Sequence, residues 1–261
     1  MRFDIITLFP ELFAPFLASG VTRRAYASGQ VDVRLWNPRD YADGNYRRVD
    51  DRPFGGGPGM VMMAAPLARC LAAIRAERGE PEEAQAPVVL FSPIGESLNH
   101  AAVERWSASE GAVLLCGRYE GIDQRFIDAH VDLQMSLGDF VLSGGELPAL
   151  ALLDAVTRLQ PGVLGDAASH EQDSFSDGLL DCPHYSRPEL LGADAVPPVL
   201  LSGHHEQIRA WRREQSLWLT LTRRPELITA ARTAGRLSRK DEALLKAWAA
   251  GQPGPDGKTC L

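Results

Sequence analysis

The sequence predicts an α/β protein, with a mostly parallel sheet covered by helices on both faces, and a small all-helical C-terminal domain. Three observations lead to this prediction. In residues 1–160, short runs of branched apolar residues alternate with segments of helical periodicity, an order typical of parallel sheets. In residues 161–203 this periodicity disappears and Gly, Asp, Ser and Pro dominate. From His204 onward, helical periodicity returns.

The elements of the first region follow in order from these patterns. Strands are predicted over residues 3–9, 31–36, 87–91 and 112–116, where apolar residues run together or alternate over a short length. Helices are predicted from Pro10 onward and over residues 66–78, 98–109 and 146–159, with Ser97 as the expected N-cap of the helix at 98–109. The continuous run AVLLC at residues 112–116 is typical of a strand buried on both faces.

The remaining chain divides at residue 203. Residues 161–203 contain Pro183, Pro188, Pro197 and Pro198, which prevent a long helix and indicate an interdomain linker or functional loop. Helices are predicted over residues 204–224 and 238–251, the second of them capped at its start. We therefore expect an α/β domain at 1–160, a linker at 161–203 and a helical domain at 204–261.

Composition excludes several protein classes. The chain has 261 residues, a net charge of −7 and 45% hydrophobic residues, all ordinary for a globular protein. Since no apolar run approaches the roughly 20 residues of a membrane span, and the N-terminus lacks the order of a secretory signal, we expect a cytoplasmic protein without a membrane partner. The four cysteines form no Cys-x-x-Cys pair, so we expect free thiols and no metal site.

Charge is distributed unevenly along the chain. Residues 202–261 hold eleven Lys and Arg against six Asp and Glu, whereas residues 1–160 hold fifteen against twenty-one. Arginine, which suits bidentate phosphate contacts, supplies 24 of the 27 cations, although a high-GC genome would also enrich it. Trp211, Arg212 and Arg213 lie together in the basic region, which leaves a non-catalytic RNA-binding module open as a hypothesis.

Three familiar ligand motifs are excluded on their context. LSGGE at residues 142–146 is similar to the signature loop of ABC-type ATPases, but the chain has no G-x-x-x-x-G-K-[ST] loop to hold phosphates. No G-x-G-x-x-G fingerprint follows a predicted strand, so a Rossmann-type dinucleotide site has no support. Residues 204–206 (HHE) lack the His spacing of a zincin, so we interpret them as a polar cluster at the start of a helix.

Two glycine-bearing loops are candidates for one ligand pocket. Residues 117–123 (GRYEGID) directly follow the strand at 112–116, and ligands of α/β sheets collect at the carboxyl ends of strands. Residues 136–145 (SLGDFVLSGG) form a second loop of the same kind. The alternative is that these glycines serve only the geometry of turns.

Two further loops allow a functional and a plain interpretation. Residues 54–60 (FGGGPGM) lie near Arg39, Arg47, Arg48 and Arg52, which favours phosphate contacts, although nearby aspartates partly neutralise the patch and a flexible surface loop is the alternative. Residues 169–181 carry His170 and four acids without core periodicity, so this loop is either catalytic or a solvated linker.

Five motifs in this order strongly resemble the bacterial tRNA (guanine-N1)-methyltransferase family known as TrmD. They are FGGGPGM, GRYEGID, SLGDFVLSGGELPAL, QDSFSDGLLDCPHYSRP and GHHEQI at residues 203–208. The resemblance runs from Met1 to about Leu227. It implies a SPOUT-class α/β domain with a deep trefoil knot, a rare exception to unknotted topology. It also implies a homodimer that binds the tRNA anticodon stem-loop and methylates N1 of guanine 37, with the active site formed across both chains.

The resemblance implies S-adenosylmethionine as the methyl donor and assigns its site. The expected cofactor-binding residues are Leu90, Ser92, Pro93, Gly117, Tyr119, Glu120, Gly121, Ser136, Leu137, Gly138, Asp139, Phe140, Val141, Leu142, Gly144 and Gly145. The sequence departs from the family pattern at Leu90, Ile94, Phe140 and Gln172. The departures at 90 and 140 remove hydroxyl groups and leave backbone contacts as the expected source of binding.

The resemblance also implies two catalytic residues. Guanine N1 carries a proton at neutral pH, so methyl transfer to it requires a base, and Asp173 matches the family's base. Arg158 matches an arginine expected to stabilise the negative charge that grows on O6. Mg²⁺ is implied for activity, although the sequence contains no dedicated metal cage. A SPOUT enzyme acting on ribosomal RNA is the remaining alternative.

Overall fold

The computed structural model describes residues 1–165 and 171–257. The chain divides into two compact units, Met1–Gly165 and Asp166–Leu261. Ser169 and His170 of the predicted acidic loop, and Cys260, lie outside the described residues. Each unit has an apolar core of its own.

The first unit is built on a parallel sheet. Its described strands are β1 (Arg2–Ile6), β2 (Asp32–Trp36), β3 (Asp50–Asp51), β4 (Val61–Met62), β5 (Val88–Ser97), β6 (Gly111–Leu115), β7 (Gly121–Ile122) and β8 (Leu133–Ser136). Five of them form one sheet in the order β2-β1-β6-β5-β8, and every neighbouring pair is parallel. The predicted α/β class with a mostly parallel sheet is therefore confirmed. Strands β3, β4 and β7 form a small separate sheet.

Helices cover both faces of the large sheet. They are α1 (Ala14–Leu17), α2 (Arg23–Ala27), α3 (Ala64–Arg78), α4 (His100–Ser107), α5 (Gln124–His130) and α6 (Glu146–Thr157). Successive residues of a strand point to opposite faces. Ile5 accordingly belongs to the same core as Leu152 of α6, whereas Ile6 belongs to the core that includes Leu71 of α3.

The start of α4 differs from the prediction. Ser97 is not its N-cap, because β5 continues beyond Phe91 through an irregularity and pairs Ser97 with Ser136 of β8. The cap is Asn99, whose side chain accepts a hydrogen bond from the Ala102 amide at 3.0 Å. Neither β8 nor α5 was predicted, because their short segments show no clear apolar period.

The second unit is mainly helical in its described part. It contains two short strands, β9 (Leu190–Leu191) and β10 (Asp194–Ala195), and the helices α7 (Pro198–Leu201), α8 (His205–Arg223), α9 (Pro225–Thr233) and α10 (Arg239–Ala249). Helix α9 was not predicted; it begins at Pro225, an acceptable first residue of a helix. The side chains of Trp218 and Trp248 meet edge to face, with ring centroids 5.2 Å apart, inside a core shared by α8, α9 and α10. Ser238 and Asp241 form a capping box at the start of α10.

Part of the acidic segment belongs to this helical core. The side chain of Leu179 is buried among the residues of α8 to α10. The Leu180 amide donates to the Thr220 hydroxyl at 2.9 Å, and the Leu180 carbonyl accepts from Ser216 of α8. Arg213 of α8 forms ion pairs with both Asp177 and Asp241. The segment is therefore a docked turn rather than a solvated linker at these positions.

No helix within residues 1–165 and 171–257 combines the length and apolar character that crossing a membrane would need.

A buried carboxylate on β1 joins this strand to β2 and to helix α3. The Asp4 side chain is fully buried and accepts hydrogen bonds from Arg2 (2.8 Å), Trp36 (2.8 Å) and Arg78 (2.6 Å). We expect Asp4→Asn to lower the free energy of unfolding by about 3 kcal/mol, because the substitution removes the buried negative charge that pairs with Arg2 and Arg78 and leaves Glu80 as the remaining partner of the buried Arg78. Urea unfolding measures this change. Asp32→Asn, at an exposed ion pair with Arg34, is the matched control and should cost less than about 1 kcal/mol; equal effects would contradict the prediction.

Candidate functional site

A pocket of about 500 Å³ lies where β6 and β8 end and where β5 becomes irregular after Phe91. These three strands are neighbours in the sheet, and a pocket at the carboxyl ends of parallel strands is expected for an α/β ligand site. The predicted residues that line it are Leu90, Ser92, Pro93, Gly117, Tyr119, Glu120, Gly121, Ser136, Leu137, Gly138, Phe140, Val141, Leu142, Gly144 and Gly145. Asp139 is exposed and does not line the pocket.

Several lining residues were missed by the sequence analysis. They include Gln124 and Ile127 of α5, Gln134 and Met135 of β8, and Pro148 of α6. The first four lie on elements that the sequence did not predict. Pro148 was part of a recognised motif, and its position in the first turn of α6 could have indicated that it faces the same loops.

The two glycine loops contact each other through their backbones. The Gly145 amide donates a hydrogen bond to the Gly117 carbonyl at 3.0 Å. A Cβ atom at Gly145 would lie 2.7 Å from Cα of Cys116, so only glycine allows this approach without a backbone shift. The segment after β6 and the segment before α6 therefore cross in direct contact beside the pocket.

A buried charge pair lies at this crossing. The Glu146 carboxylate, which is 1% exposed, lies 2.9 Å from Nε of Arg118 and accepts a hydrogen bond from the Thr7 hydroxyl at 2.9 Å. Arg118 also donates to the Ser143 carbonyl at 3.0 Å. Burial, reinforced by the Glu146 charge, raises the pKa of the neighbouring Cys116 thiol well above its ordinary value. Cys116 is therefore a protonated, inert thiol at neutral pH.

Comparison with known proteins identifies the family. Residues 1–230 match the family described as tRNA (Guanine-1)-methyltransferase TrmD. The chain belongs to this family. A tRNA (guanine-N(1)-)-methyltransferase from Paracidovorax citrulli (strain AAC00-1) is 74% identical over 248 residues, which cover 94% of this chain and 97% of that protein.

More distant relatives carry the same name. The protein from Polaromonas sp. (strain JS666 / ATCC BAA-500) is 70% identical over 248 residues, covering 94% of this chain and 96% of its own. The protein from Burkholderia mallei (strain SAVP1) is 57% identical over 245 residues, which cover 94% of this chain and 93% of that protein. The resemblance to TrmD that the five motifs indicated is confirmed.

The two predicted catalytic residues of this TrmD chain lie in different units. Arg158 is the C-cap of α6, whose first residue, Glu146, lies beside the pocket. Twelve helical residues span about 18 Å, so Arg158 lies at the far end of the helix and does not line the pocket of its own chain. Asp173 is half-buried at the start of the docked turn, where its carbonyl accepts from the Ser176 amide.

The glycine-rich loop at residues 54–60 is joined to the pocket loops. Strand β4 pairs Val61 with Gly121 of β7, and the Glu120 amide donates to the Met60 carbonyl at 3.0 Å. The phenol of Tyr119 lies 3.4 Å from the Arg39 guanidinium. Burial of the phenol is the main cause that raises the pKa of Tyr119, and the negative charge of Asp50 is the second. Other arginines of the patch pair with acids: Arg47 with Asp40 and Arg48 with Asp51.

One group of potential metal ligands is present among the described residues. Atoms of Asp181, Cys182 and His184 lie within 4.8 Å of one another. These residues already hydrogen-bond to one another, because the Asp181 carboxylate accepts a hydrogen bond from His184 at 2.7 Å and another from the Cys182 amide at 2.6 Å. Burial and the Asp181 carboxylate raise the pKa of the Cys182 thiol, which opposes the thiolate form that binds metals. We interpret this group as a hydrogen-bonded turn.

Proposed function

We propose that this chain transfers a methyl group from S-adenosylmethionine to N1 of guanine 37 in tRNA, next to the anticodon. Membership of the TrmD family supports the reaction class. The observation that carries the proposal is the pocket at the ends of β6 and β8 and beside the irregular part of β5, formed by the loops that the family motifs occupy. As an enzyme of tRNA it would act in the cytoplasm.

The pocket fits the proposed cofactor in size and chemistry. Its volume of about 500 Å³ lies in the range of small-molecule sites. Apolar side chains such as Leu90, Ile122 and Pro148 provide surface for a planar base. The glycines at 117, 121, 144 and 145 let the backbone approach a ligand closely, and Glu120 offers a carboxylate to an ammonium group. When bound, the cofactor supplies an activated methyl group.

The chain's own residues must manage the proton and the charge of guanine. We propose that the Asp173 carboxylate accepts the N1 proton, because the N1 lone pair is otherwise unavailable for attack on the methyl carbon. The Arg158 guanidinium then donates hydrogen bonds to O6 as negative charge grows there. We propose that the guanine flips out of its stack to enter the active site.

The position of Arg158 supports a homodimeric active site. Since Arg158 lies about 18 Å from the pocket end of α6, the arginine that acts at one pocket would come from the second chain. The backbone crossing between Gly117 and Gly145 supports the proposed trefoil knot, because it brings together the two segments that a SPOUT knot interleaves.

We propose the basic helical region at residues 204–261 as the tRNA-binding part, since it holds eleven Lys and Arg against six Asp and Glu. Its helix α8 carries Trp211 and Arg212, which suit stacking and phosphate contacts with an anticodon stem-loop. The family implies Mg²⁺ for activity. The group of Asp181, Cys182 and His184 does not suit this ion, since Mg²⁺ prefers oxygen ligands. We therefore derive no step through the metal.

One assay separates the proposal from its alternatives. Purified protein is incubated with labelled S-adenosylmethionine and either tRNA containing a guanine 3′ of the anticodon or ribosomal RNA. Nucleosides are then identified by mass spectrometry. We expect labelled 1-methylguanosine from the tRNA alone. Label in ribosomal RNA would favour another SPOUT enzyme, whereas RNA binding without label or cofactor affinity would favour a plain RNA-binding module.

A further inference from the structure

The wall of the pocket formed by residues 137–145 has little apolar anchorage. Three of its large side chains are exposed: Leu137 by 37%, Phe140 by 55% and Val141 by 86%. Apolar burial at these positions therefore contributes little to fixing the loop. Something else must hold this wall in one conformation if the pocket is preformed.

Arg118 joins the end of this loop to two other segments. Its Nη1 donates to the Ser143 carbonyl at 3.0 Å, and its Cζ lies 4.4 Å from the centre of the Phe9 ring, just beyond β1. Its Nε lies 2.9 Å from the Glu146 carboxylate at the start of α6. One guanidinium thus links three chain segments: the end of β1, the segment after β6 and the loop before α6.

Glu146 completes the link on its other oxygen. Oε1 accepts from the hydroxyl of Thr7, which in turn accepts from the Phe9 amide at 3.0 Å. The carboxylate lies at the N-terminus of α6, where the helix dipole favours a negative charge. A Cβ atom at Gly144 would lie 2.3 Å from Nε of Arg118, so the glycine leaves space for the ion pair.

We propose that Arg118 and Glu146 are positioning residues for cofactor binding. The ion pair fixes the Ser143 carbonyl and the adjoining backbone of Gly144 and Gly145, three residues that line the pocket. Neither residue is assigned a chemical step. The identity of the ligand rests on the proposed function, whereas the mechanical link itself rests on the contacts around Arg118.

Glu146→Gln tests the proposal, because it removes the charge while keeping nearly the same shape. We expect the dissociation constant of S-adenosylhomocysteine, measured by calorimetry, to rise about tenfold or more. We also expect KM for the methyl donor to rise in proportion, with kcat at saturating donor within a few-fold of that of the unaltered chain. Thr7→Val removes one hydrogen bond to the same carboxylate and should give a smaller rise.

Arg34→Gln is the matched control. Arg34 pairs with Glu77 on the surface of the same unit, and neither residue lines the pocket, so cofactor affinity should not change. Thermal unfolding is recorded for every variant. If Glu146→Gln melts at lower temperature but binds the cofactor normally, the pair is merely structural and the proposal is wrong.

Other outcomes also decide between the two proposals. If Glu146→Gln does not fold, Thr7→Val decides: a raised dissociation constant in a folded protein supports the positioning role, and an unchanged constant overturns it. If the unaltered chain binds neither S-adenosylmethionine nor S-adenosylhomocysteine, the proposed function fails, and the inference about cofactor positioning fails with it. If the unaltered chain binds and all variants bind equally well, only the inference fails.

Discussion

Asp173→Asn is expected to lower kcat by about two to four orders of magnitude, the usual contribution of a general base. The amide has nearly the shape of the carboxylate but cannot accept the N1 proton. The backbone contacts of the turn, from the Ser176 amide to the Asp173 carbonyl and from the Phe175 amide to the Leu179 carbonyl, do not involve the altered group. Single-turnover methylation of tRNA at saturating donor measures the effect.

Asp177→Asn is the control for this experiment because it alters an acid in the same turn. Asp177 pairs with Arg213, so its loss should reduce stability modestly and leave kcat within a few-fold. Calorimetry should show that Asp173→Asn binds S-adenosylhomocysteine normally. A fully active Asp173→Asn enzyme would place the base elsewhere in the chain.

Mixing two variants that are each expected to be inactive tests whether Asp173 acts across the proposed homodimer. Gly121→Phe should block the pocket without a backbone clash, because a Cβ atom there meets nothing within 4 Å. In an equal mixture with Asp173→Asn, half of the dimers contain one chain of each kind and hold one intact site. Activity should recover to about a quarter of that of the unaltered enzyme. No recovery would mean that Asp173 serves the pocket of its own chain.

Arg158→Ala should lower kcat by about two to three orders of magnitude, if its guanidinium stabilises the charge on O6. Alanine is well tolerated in helices, so the end of α6 should remain intact. Arg158→Lys keeps the charge without the planar fork and should recover only part of the rate. Steady-state kinetics with tRNA distinguishes the roles: a rise in KM for tRNA with normal kcat would make Arg158 a binding residue.

The parallel sheet could be predicted because its central strands are apolar without interruption. All five residues of β6 are buried, as are Val88, Val89 and Leu90 at the start of β5, and such apolar runs stand out in a sequence. β8 has the sequence LQMS, which carries no such signal. Its place beside β5 depends on long-range pairing, including contacts beyond the irregularity after Phe91. Short-range sequence patterns could not supply that information.

The pocket loops could be located because glycine marks close backbone approaches. Gly117, Gly144 and Gly145 were noted as members of two glycine-bearing loops and assigned to the cofactor site by the family resemblance, and all three line the pocket. The buried pair of Arg118 and Glu146 was not predicted, since charged residues normally indicate solvent and their two positions are far apart in the sequence. The burial of Leu179 against the helices of the second unit was also not predicted, because a single leucine among acidic residues gives no apolar pattern in the sequence.

The docked turn limits how this enzyme could be re-engineered. A chimera that exchanged only the helices from residue 204 onward would separate Leu179 and Leu180 from the α8 side chains that hold them. In such a chimera the exchanged helices would expose an apolar surface, and the segment that begins at Asp173 would lose the contacts that hold it. A junction placed before residue 171 would transfer Asp173, Leu179 and helices α7 to α10 together as one piece.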